Sequence, residues 1–129
     1  MPVFHSPPTV APPVGAYTHA VEVGPGARTL FVSGQIGAGP DGAVGATIED
    51  QADHAWRNLL AILAHAGMAP TDLVKTTTYL VSRDDLDAAR AARQRAIGDH
   101  RPASTLVIVA GLVSPALRIE LEAVAVRGG

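Results

Sequence analysis

The sequence predicts an α+β domain, ordered β-β-α-β-α-β-β, with two helices on one face of a mixed sheet. Three observations carry that expectation. One stretch repeats apolar residues at helical spacing behind a capping sequence, and a second stretch opens on a similar cap. Five others are rich in β-branched and apolar residues and are bounded by Gly and Pro. Two of those strand stretches are apolar on both faces. The 129 residues suffice for one domain with one core, expected to span 1–129.

The first sixteen residues hold Pro7, Pro8, Pro12 and Pro13 and are expected to be extended. His19 to Val23 alternates briefly, Gly24-Pro25-Gly26 supplies a turn, and Arg28 to Ser33 reads as a second strand, so the two are expected to form a hairpin. A Gly-rich loop runs from Gly34 to Gly45. Thr47-Ile-Glu-Asp50 resembles a capping box, and Ala52, Ala55, Trp56, Leu59 and Leu63 then recur at helical spacing as far as a stop at Gly67. Leu73 to Val81 is a strand. Ser82-Arg-Asp-Asp85 caps a helix that ends near Gly98, and strands follow at Ser104 to Val109 and Leu117 to Val126.

Leu30 and Val32 face opposite to Phe31, and Leu106 and Ile108 face opposite to Val107. Two helices cover only one face of such a sheet. The simplest cover for the other is a second copy of the chain.

Composition excludes several function classes. With 47% hydrophobic residues the chain is a folding sequence, and no apolar run approaches the roughly 18–20 residues of a membrane span. The N-terminal stretch lacks the basic start and apolar run of a signal peptide, so a soluble cytoplasmic protein is expected. Ten basic and twelve acidic residues leave a net charge of -2 and no Lys/Arg cluster, so neither nucleic acid nor membrane is expected as a partner. There is no cysteine, and the five histidines lack ligand spacing, so no metal site is expected.

Five stretches resemble, in order and spacing, the signatures of the YjgF/Rid (reactive intermediate deaminase) family. They are Pro13-Val-Gly-Ala-Tyr17, Phe31-Val-Ser-Gly-Gln35, Gln51 through Asn58-Leu59 to Ala66-Gly67, Arg101-Pro-Ala103 before an apolar strand, and Ile119-Glu-Leu-Glu-Ala123. The resemblance implies a chorismate-mutase-like homotrimer, with helices outside, sheets towards the centre, and small-molecule clefts between subunits. The best-known members hydrolyse reactive enamines and imines to ammonia and a 2-keto acid, without metal or cofactor. The expected function is therefore hydrolysis or tautomerisation of an imine, enamine or related intermediate. The alternative is a non-catalytic trimer that binds a metabolite.

By the same resemblance Tyr17 lines the cleft, Ser33 and Gly34 stand at the end of the second strand, and Glu120 positions or activates water. The expected binding set is Tyr17, Ser33, Gly34, Arg90, Ser104, Thr105 and Leu106, with Glu120 catalytic. One defining feature is missing. Deaminase members carry an arginine after Pro-Ala, whereas Pro102-Ala103 is followed here by Ser104. Losing that bidentate clamp on a substrate carboxylate would cost about 2–5 kcal/mol of binding. Leu106 stands at a small or cysteine position, and Arg90 replaces a helix asparagine. Arg90 reads either as a substitute clamp or as a solvated helix arginine beside Arg93 and Arg95, the second being favoured. The ligand is accordingly expected to be neutral or apolar near Ser104 and Leu106, and not a standard 2-aminoacrylate.

Arg118, Glu120 and Glu122 share one face of the last strand. Buried charges are costly unless paired, so one reading is an ion pair of Arg118 with Glu120 or Glu122. The other makes Glu120 a cleft carboxylate suited to general base work and leaves Glu122 structural. Gln51 and Asn58, two turns apart on one helix face, are expected to hold loops rather than ligand.

Overall fold

The computed structural model describes residues 2–128, in the order β1 (Val3–His5), β2 (Ala20–Glu22), β3 (Arg28–Ile36), α1 (Ile48–His65), β4 (Leu73–Leu80), α2 (Leu86–Ile97), β5 (Ala103–Ile108) and β6 (Ile119–Arg127). The main sheet has the order β3-β6-β4-β5, with β4 and β5 parallel and the other pairs antiparallel. It is an α+β fold with a mixed sheet, as the residue patterns predict.

The helices start and stop where local chemistry dictates. Thr47 is extended, and its hydroxyl accepts from the Asp50 N–H at 3.1 Å, opening α1. Gly67, at φ 74°, takes the chain out through a conformation that a side chain would strain. Ser82 also caps, accepting from the Asp84 N–H at 3.1 Å, but one tight turn (Arg83–Asp85) precedes α2. The buried stripe of α1 (Ala52, Ala55, Trp56, Leu59 and Leu63) meets Leu80, Ile119, Leu121 and Ala123 from the sheet. α1 packs on β3 and β6, and α2 packs on α1.

The expected hairpin between residues 19–23 and 28–33 does not form. β2 pairs instead with β1, through Phe4↔Val21, in a separate two-stranded ribbon. The reason is topological. Thr18 bridges to Ala103 on β5, at one edge of the main sheet, while β3 lies at the opposite edge with its inner flank taken by β6. The Gly24-Pro25-Gly26 turn therefore carries the chain across the end of the sheet, and the sheet has four strands rather than five.

In β4 and β6 every second residue is buried under the helices, and Lys75, Thr77, Tyr79, Glu120 and Glu122 alternate on the other face. Among the described residues, neither helix packs on that face. Phe31 is 78% exposed there, against 6% for its neighbour Val32. Gln51 and Asn58 hold loops: Gln51 Nε2 donates to the carbonyls of Gly45 and Ala116, and Asn58 Nδ2 to those of Ile36 and Ala38. Among the described residues, no helix is long and apolar enough to cross a membrane.

Candidate functional site

The eight residues singled out in the sequence gather at two places. The first is a bulge on the uncovered sheet face. From Val32 to Gln35, β3 advances three residues while β6 advances two, from Ala123 to Leu121, so Ser33 and Gly34 together oppose Glu122. The chain bends here, and the Glu120 side chain lies over Gly34. A Cβ built on Gly34 would sit 2.8 Å from Glu120 Cδ and closer still to Oε2, so only a residue without a side chain leaves the carboxylate where it is. Glu120 also borders a shallow cavity of about 250 Å³ with Tyr79, Glu122 and Leu112.

Arg118, just before β6, and Glu120 and Glu122 on it have different fates. Arg118 does not pair with Glu120 or Glu122. Its Nη2 and Nε donate to the buried Asp85 carboxylate at 2.5 and 3.2 Å, because the tight turn before α2 brings Asp85 to the start of β6. Glu122 accepts the Tyr79 hydroxyl from the neighbouring strand. That hydrogen bond, then burial, then the negative charges of Glu122 and Glu120 push the Tyr79 phenol above its ordinary pKa. Glu120 has no side-chain hydrogen bond or ion pair among the described residues, and it stays half-exposed.

The second place is a cavity of about 380 Å³ between α2, β5 and the loop before β2. Leu86, Arg90 and Arg93 fall on one stripe of α2 and face it, and Ser104, Thr105 and Leu106 form its strand wall. Tyr17 enters from the loop because Thr18 is tied to β5 by its bridge to Ala103 and by its N–H to the Pro102 carbonyl at 3.3 Å. Ser104 accepts the Thr76 hydroxyl at 3.2 Å, and Lys75 Nζ donates to Thr105 Oγ1 at 2.7 Å. Arg90 is exposed and also lines the cavity; Arg93 is half-buried. Burial, then the charges of Arg90 and Arg101, pull Arg93 below the usual arginine range.

Within one chain the two places do not meet. β4 separates β6 from β5, and Ser104 shares the helix-covered face with the buried Thr76, opposite the face that carries Glu120. Tyr79, Asp85 and Arg93 were not singled out from the sequence as site residues. Arg93, three residues after Arg90 on a helix that starts by Leu86, was open to discovery from spacing alone. Asp85 and Tyr79 owe their roles to partners on other elements. Among the described residues, no three His, Asp or Glu side chains gather closely enough to hold a metal ion.

The sequence model of the family described as Endoribonuclease L-PSP matches residues 8–127. The rat 2-iminobutanoate/2-iminopropanoate deaminase is 38% identical over 117 residues, covering 89% of this chain and 82% of its own. A Rid-family protein of unknown function from Yersinia pestis superposes with a TM-score of 0.85 at 33% identity, over 96% of this chain and 97% of that one. A putative endoribonuclease from Thermotoga maritima superposes at 0.74 with 40% identity, over 90% of each chain. The chain belongs to the YjgF/Rid family.

Proposed function

We propose that the protein hydrolyses a small imine or enamine, with Glu120 as the base, in a cleft completed by a neighbouring copy of the chain in a homotrimer. One observation carries this reading. Of Arg118, Glu120 and Glu122, the first and last are consumed by structural partners, and Glu120 alone is left unpaired, half-exposed and seated on a bare glycine. A free carboxylate in a sheltered position is costly to keep unless it acts on a ligand or water. The deaminase activity named for the rat relative is the reaction class that such a group serves.

In that reaction Glu120 accepts a proton from water as the oxygen adds to the C=N carbon, and the imine nitrogen takes up a proton. The C–N bond of the resulting carbinolamine then breaks, giving a carbonyl product and ammonia. The second cavity supplies the ligand's other contacts, with Tyr17, Ser104, Thr105 and Leu106 along its wall. Exposed Phe31 and the uncovered sheet face support assembly, since a second copy would bury them.

Ser104, where deaminase members have arginine, favours a second reading: a non-catalytic trimer that binds a metabolite. Ammonia release from a panel of enzymatically generated imines, with wild type and Glu120→Gln, separates the two. Release by wild type and its loss in the variant is the expected result. No release from any imine by wild type, with a ligand still bound, would establish the binding reading.

A further inference from the structure

We propose that the cavity between α2 and β5 holds a doubly charged oxyanion at one end of the ligand, gripped by the guanidinium groups of Arg90 and Arg93. The inference rests on the cleft reading above and deepens it by naming the substrate class.

Arg90 and Arg93 stand one turn apart on the stripe of α2 that faces β5, and both line the cavity. Neither has a carboxylate within ion-pair distance among the described residues, although Arg95 on the same helix has one in Asp53 at 2.8 Å, Arg118 has Asp85 and Arg127 has Asp72. None of the residues lining the cavity is acidic. Arg101 adds its field to Arg93. Half-burying Arg93 among like charges is unfavourable with the cavity empty and becomes favourable when an anion enters.

Two uncompensated guanidinium forks match two negative charges better than one. A monocarboxylate neutralises only one of them. Ser104 supplies a neutral hydroxyl beside the charges, while Leu86 and Leu106 make the rest of the wall apolar. A ligand neutral throughout, which the strand residues alone suggest, would leave both arginines unanswered. The structure therefore points to a phosphate- or dicarboxylate-bearing ligand, with the imine carbon at the opposite end, towards Glu120.

Calorimetric titration of the full chain with inorganic phosphate, succinate and acetate at matched ionic strength tests this without turnover. Saturable binding of phosphate or succinate is expected, at least about tenfold tighter than acetate, and weakened by at least about tenfold in Arg90→Gln/Arg93→Gln. The tighter of the two dianions identifies the ligand end. Arg90→Gln alone, at an exposed position, covers the case in which the double variant does not fold, and it too must weaken binding. Glu120→Gln is expected to bind the dianion like wild type while losing ammonia release, so failure of the catalytic reading and failure of this one give different results. Absence of saturable binding, acetate binding equal to the dianions, or dianion binding unchanged in the arginine variants would overturn the proposal.

Discussion

The Glu120 carboxylate rests on the backbone of Gly34, in the space that any side chain at position 34 would occupy. Gly34 is not among the glycines with positive φ, so its backbone accepts alanine without strain. The atoms in the way are the far end of a flexible glutamate. Gly34→Ala is therefore expected to change stability by less than about 1 kcal/mol. It displaces the base, however, and is expected to lower kcat/KM for imine hydrolysis by about 10²-fold or more, as is expected of Glu120→Gln. Full activity in Gly34→Ala would show that the position of the carboxylate is immaterial.

The Arg118–Asp85 pair is asymmetric: the Asp85 side chain is 2% exposed and that of Arg118 41%. Removing the arginine strands a buried charge, whereas removing the charge of Asp85 leaves an arginine that reaches water. Arg118→Ala is expected to cost about 3 kcal/mol, with Asp85→Asn costing less, at about 1–2 kcal/mol. Urea unfolding at one fixed protein concentration measures both. Equal costs, or a larger cost for Asp85→Asn, would contradict the asymmetry.

Gln51, 2% exposed, accepts from the Arg118 N–H at 2.8 Å and donates to the Ala116 carbonyl at 2.9 Å, tying α1 to the entry of β6 two residues before Glu120. Gln51→Leu keeps the bulk and orphans three backbone groups, the Arg118 N–H and the carbonyls of Gly45 and Ala116. It is expected to cost about 2–4 kcal/mol in the same unfolding assay. A cost below about 1 kcal/mol would mean that the entry of β6 finds other partners.

The Tyr79 phenol, held above 10.0 mainly by its bond to Glu122, keeps its proton where an unfolded chain has lost it. The stability from this contact is thus complete below pH ~10 and lost as pH rises through the folded midpoint. In a Tyr17→Phe background Tyr79 is the one remaining tyrosine of the two, and absorbance titration reports it alone. Glu122→Gln removes the charge and is expected to lower the midpoint towards 10.0. An unchanged midpoint would remove Glu122 as the cause.

What was legible in the sequence was local. Thr47, Ser82 and Gly67 act on atoms within a few residues, so the helices start and stop where those residues place them, apart from one tight turn before α2. The pairing of β2 was not legible, because it depends on a distant contact: Thr18 is bridged to Ala103 on β5, at the edge of the sheet opposite β3. The site divides in the same way. Alternation put Arg118, Glu120 and Glu122 on one face, but Asp85 and Tyr79, which leave Glu120 alone unpaired, come from elements far along the chain. Arg90 could be named from its position, yet its meaning depends on the stripe it shares with Leu86 and Arg93.

Glu120 and the Arg90–Arg93 cavity lie on different faces of the sheet with β4 between them, so a single chain does not present both to one small ligand. If the cleft joins Glu120 of one subunit to the arginines of the next, a defect in each can be repaired by mixing. Chains carrying Glu120→Gln and chains carrying Arg90→Gln/Arg93→Gln, refolded together in equal amounts, then form sites of four kinds. One kind takes both intact halves, so about a quarter of wild-type activity is expected, whatever the size of the closed ring. A site built within one chain would hold one defect in every copy, and mixing would recover nothing beyond the parent variants. Activity of the mixture is measured by ammonia release, with size-exclusion chromatography to confirm that mixed oligomers formed. Mixed oligomers without recovered activity would place the whole site in one chain and defeat the shared cleft.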